Sequence, residues 1–98
     1  MVATEDRLVA ALEEGVEDLA FHLDAAGMDF EVTTSPNMNQ YIVIFADGTR
    51  HAYVTAELVR HGIPAVFIDV YSVSADGDEC LVLGDMTVAE AATYIINA

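Results

Sequence analysis

The sequence predicts an α+β domain built on a mostly antiparallel sheet of about five strands. Three observations carry that class: an apolar stripe at helical spacing near the N-terminus, a series of short β-prone runs between turn residues, and a capping box ahead of the last apolar stretch. A chain of 98 residues holds one core, so the expected organisation is a single domain over 1–98. No repeat, low-complexity tract or linker divides it.

Residues 4–27 read as one long amphipathic helix. Leu8, Leu12, Val16, Leu19, Leu23 and Ala26 recur every three or four residues, while Glu13, Glu14, Glu17, Asp18 and Asp24 fall on the other arc as a solvated face. Thr4 is placed to cap its N-terminus, with Glu5 and Asp6 beside the positive end of the dipole. Gly27 stops it as a left-handed residue, with Met28 making the flanking apolar contact.

Phe30 to Thr34 is a short strand, followed by the turn-forming Ser35-Pro36-Asn37-Met38-Asn39. Tyr41 to Ala46 is apolar on both parities, as a strand covered on both faces would be. Asp47-Gly48 is a hairpin signal, and the returning strand runs from Arg50 to Val54, alternating Arg50, Ala52 and Val54 against His51 and Tyr53. A helix starting near Thr49 is the competing reading of that stretch. Thr55 opens a short helix over Ala56 to His61, closed by Gly62 and Ile63. Pro64 precedes a long strand, Ala65 to Val73; Asp76-Gly77-Asp78 turns the chain, and Cys80 to Leu83 returns antiparallel. Thr87-Val88-Ala89-Glu90 then caps a last helix to about Ile96, whose apolar face is Val88, Ala91, Ala92, Ile95 and Ile96. The expected order is α-β-β-β-α-β-β-α. With helices on at least one side, apolar residues on the second side of the sheet need a cover, and a second copy of the chain, through sheet face or edge, is the simplest one.

Charge narrows the setting. Seventeen Asp and Glu stand against three Arg and no Lys, a net charge of −14. The 54% of hydrophobic residues separates the chain from acidic disordered sequences. The negative field repels nucleic-acid backbones and anionic membranes, so neither is an expected partner. In molar salt the Debye length falls to about 3 Å and carboxylates hardly feel one another. The composition resembles that of cytosolic proteins from salt-in haloarchaea, which implies a cytoplasmic archaeal protein surrounded by monovalent counter-ions. No stretch approaches the eighteen or so apolar residues of a membrane span, and charge occupies positions 5 and 6, where a signal peptide needs an apolar run.

No phosphate-binding Gly-rich loop, Gly-x-Ser-x-Gly elbow, Cys-x-x-Cys or His-Glu-x-x-His occurs, so an enzyme is disfavoured and no cofactor is expected. Cys80 stands alone, which forbids an internal disulfide; with no cation beside it in sequence, it reads as a buried, inert thiol. His22 follows Asp18 by four residues, a helical contact, and His61 falls in the last turn of its short helix. Asp69, alone among Val66-Phe67-Ile68 and Val70-Tyr71, either faces water on an edge strand or has a partner, since a buried lone carboxylate is costly. A polar pocket of Asp69, His51, Tyr53, Tyr71 and Arg50 would supply such a partner, with Arg50 as the ligand contact. Asp76, Asp78 and Glu79 could weakly hold a cation, although they lack the spacing of a calcium loop. Two function classes follow: a homodimeric interaction domain, or a small-molecule or ion-binding domain, catalytic or not, with its site at that pocket.

Overall fold

The computed structural model describes residues 4–34 and 40–97, with side chains from Arg7 onward. The expected capping roles of Thr4, Glu5 and Asp6, and the turn at 35–39, lie outside the described residues and side chains. Among the described residues, two helices, α1 (Thr4–Ala25) and α2 (Val88–Asn97), stand before and after five strands in chain order: β1 (Phe30–Thr34), β2 (Gln40–Phe45), β3 (Arg50–Leu58), β4 (Pro64–Val73) and β5 (Glu79–Met86). The sheet order is β1-β2-β3-β4-β5 and every pairing is antiparallel, a five-stranded meander. The class is α+β, as the sequence predicts.

The short middle helix is not formed. Residues 56–58 continue β3, pairing Ala56 with Val66, Glu57 with Ala65 and Leu58 with Pro64, and only a single 3-10 turn, Arg60–Gly62, remains. Helical spacing over six residues is a weak signal, whereas nine ladder pairs along β4 fix the backbone of β3 and place Ala56 and Val66 against the core. The hairpin expected at Asp47-Gly48 is present. Gly48 is left-handed at φ 72°, its N–H reaches the Phe45 carbonyl at 2.9 Å, and Thr49 donates to the Asp47 carboxylate.

Both helices lie on one face of the sheet. Leu12, Val16, Leu19 and Leu23 of α1 and Ala91, Ala92 and Ile95 of α2 bury against Val43, Phe45, Ala52, Val54, Ile68, Val70 and Met86. The arc of α1 opposite that buried stripe carries Glu13, Glu14, Glu17 and Asp18, which stay in solvent. Helix α1 ends in a Schellman motif: Gly27, at φ 76°, donates to Asp24 and Met28 donates to Leu23, while Met28 packs on the core. Thr87 and Glu90 make the reciprocal bonds of the capping box at 3.1 and 3.2 Å, and these bonds hold the Glu90 carboxyl below the usual carboxylate range. Gly15 sits where α1 crosses β4; a Cβ at that position would lie 2.8 Å from Cγ1 of Val66.

Candidate functional site

The face without helices is where most of the expected site residues meet. In β3, His51, Tyr53 and Thr55 point to this open face, and β4 sets Tyr71, Asp69 and Phe67 opposite them in register. Tyr53 and Tyr71 pack edge to face with ring centroids 5.1 Å apart. Glu79, the first residue of β5, joins the pair: the Tyr53 hydroxyl donates to its carboxylate at 2.7 Å, and His51 Nδ1 lies 3.3 Å from the same group. Gln40, Tyr53, Asp69, Tyr71 and Glu79 line an open depression of about 300 Å³.

Asp69 does not stand on an edge strand. β4 lies between β3 and β5, and the carboxylate accepts the Asp85 backbone N–H at 2.8 Å. There β5 slips register against β4, Ile68 pairing with Met86 but Val70 with Leu83, and Asp85 adopts φ 56°. The carboxylate therefore satisfies a donor that the bulge removes from the ladder, which explains an acid in the middle of an apolar strand.

Arg50 is not part of this group. It shares the parity of Ala52 and Val54, and its guanidinium lies 5.3 Å from the Phe45 ring centroid and donates to the Ile95 carbonyl at 3.3 Å. Ile95 is in the last turn of α2, where carbonyls lack helical partners, so Arg50 ties that helix end to the sheet. The alternation of β3 already carried this signal, since Arg50 and His51 cannot share a face of one strand.

The acidic turn also divides. Glu79 turns to Tyr53 while Asp76 and Asp78 stay at the exposed hairpin tip, and among the described residues no group of three His, Cys, Asp or Glu side chains could hold a metal ion. Cys80 is exposed, contrary to expectation, because β5 is an edge strand whose outer side has no neighbour. The Asp18–His22 contact is formed at 3.5 Å. His61 lies in the exposed β3–β4 turn at φ 61° rather than at a helix end.

Partial burial, then the Glu79 hydrogen bond and charge, push the Tyr53 phenol up to about 12. The fold thus favours the neutral phenol. Its contribution to stability is whole below pH 10 and is lost as the pH rises from 10 through about 12. Ultraviolet absorbance should record a phenolate transition near pH 12 that disappears in Tyr53→Phe; persistence of that transition in the variant would assign it elsewhere.

What the site offers chemically is an uncharged aromatic pair beside two carboxylates, a surface suited to a cation rather than an anion. No helix among the described residues is long and apolar enough to cross a membrane. No protein family, curated protein or solved structure matches the chain.

Proposed function

We propose that the protein is a small interaction domain of a high-salt archaeal cytoplasm, working as a homodimer in which a second copy covers the open sheet face. One observation carries the reading. β2 is apolar on both parities, yet only Val43 and Phe45 are under the helices; Ile42 and Ile44, with Phe67, Tyr53 and Tyr71 alongside, are left half-exposed on a continuous face. The exposed area, 6186 Å², exceeds the roughly 5,400 Å² that area scaling gives for a monomer of this size, in keeping with an uncovered layer and extents of 46 × 28 × 21 Å. Charge favours the same face. Register places four carboxylates on it, Glu31, Glu57, Asp69 and Glu79, with Asp85 at the bulge beside Asp69, whereas α1 and α2 carry six exposed acids on the other side, Glu13, Glu14, Glu17, Asp18, Asp24 and Glu90, so two acidic copies repel less through the open face.

Light scattering across a KCl series tests the reading. The expected result is twice the chain mass in molar KCl, falling to the monomer in Phe67→Lys with the circular dichroism spectrum unchanged. A monomer mass at every salt concentration would overturn it. The basin of Tyr53, Tyr71, Asp69 and Glu79 supports a second reading, a site for a small organic cation. Tyrosine fluorescence titrated with an alkylammonium chloride should then saturate in the native protein and stay flat in Glu79→Gln.

A further inference from the structure

The β3–β4 hairpin tip differs in chemistry from the rest of the surface. Val59 and Ile63 are 42% and 57% exposed, and between them stand Arg60 and His61, both exposed. Of the three arginines, Arg50 is committed to α2 and Arg7 lies on α1, so Arg60 is the one cation carried on a projecting apolar turn. No carboxylate among the described residues pairs with it. The turn is tightly made: Gly62 N–H bonds to the Val59 carbonyl at 3.1 Å, and both His61 and Gly62 are left-handed. His61 at φ 61° holds a left-handed conformation that side chains other than glycine seldom adopt.

On the same hairpin, six residues back from Val59, lies the Tyr53–Tyr71 basin with Glu79 and Asp69, a separation of roughly 20 Å along the strand. One chain therefore carries a cationic tip and a cation-accepting basin, too far apart to meet each other. We infer that the tip of one copy seats Arg60 in the tyrosine–carboxylate basin of a second copy, and that the second returns the contact. This rests on the homodimer reading above and names its contact. Two hairpins laid antiparallel, open face to open face, exchange tips about a two-fold axis near Thr55 and Phe67, which places the half-exposed Phe67 at the centre of the interface. The guanidinium meets Glu79 and the two rings, an ion pair and cation–π contact whose partial burial shields it from salt.

A pair of cysteines tests the geometry without touching either charge. Ile63→Cys at the tip and Leu81→Cys beside the basin, opposite Tyr71 and at the level to which the two-fold axis carries Ile63, in a Cys80→Ser background, should oxidise in molar KCl to a covalent dimer, while each single variant stays monomeric on a denaturing gel. Arg60→Glu should weaken dimerisation at least tenfold by sedimentation, with Arg60→Lys intermediate. A native dimer that gives no cross-link, or whose affinity Arg60→Glu changes less than twofold, overturns this docking and leaves the homodimer standing. A native protein that is monomeric at every salt concentration overturns both.

Discussion

Transfer from dilute buffer to molar KCl should raise the melting temperature by roughly 10–20 °C, corresponding to about 2–3 kcal/mol for a domain of this size. With a radius of gyration of 13.6 Å, charges stand about 15 Å apart, and fourteen uncompensated ones make on the order of ninety pairs that each repel by about 0.3 kcal/mol in unscreened water. The unfolded chain retains much of that repulsion, so only part of it bears on stability. Salt has little to weaken in return, because the ion pairs among the described residues are two histidine–carboxylate contacts, Asp18–His22 and Glu79–His51. Differential scanning calorimetry in a KCl series gives the answer, and a flat melting temperature would remove the high-salt reading.

Gly15→Ala should destabilise the protein by about 1 kcal/mol, against the usual sign for a helix interior. Alanine alone would contribute up to about 1 kcal/mol through helix propensity. Here its Cβ meets the branched Val66 side chain at 2.8 Å, and overpacking of that kind costs roughly 1–3 kcal/mol. Gly15→Leu, which must push α1 off β4, should cost several kcal/mol and leave little of a marginal stability. The cause is separable: adding Val66→Ala to Gly15→Ala should recover about 1 kcal/mol relative to the sum of the single changes, measured by chemical denaturation. A stabilised Gly15→Ala would mean that α1 does not approach β4 this closely.

Elements whose signals are local were legible in the sequence. The stripe of α1, the Gly27 stop, the Asp47-Gly48 hairpin and the Thr87–Glu90 box each specify their own geometry within a few residues. What escaped depends on partners far along the chain. Residues 56–58 are strand because β4 pairs with them, and no six-residue window contains β4. Asp69 looks anomalous until the bulge opposite it appears sixteen residues later. Glu79 reads as part of an acidic turn until the β4–β5 register brings it beside Tyr53. Four of the five pocket residues, His51, Tyr53, Asp69 and Tyr71, do share a face; Arg50 was separable by parity alone.

The meander has a consequence for how the chain finds this structure. Each strand pairs with its neighbour in sequence, so the sheet can close hairpin by hairpin, each step ordering only a short loop. The long-range step is the seating of α1, which must meet β3, β4 and also α2 at the opposite end of the chain. Folding rate should accordingly respond most to the turns at Asp47-Gly48 and Asp76-Gly77, while changes at the α1–α2 contact should act mainly on the rate of unfolding.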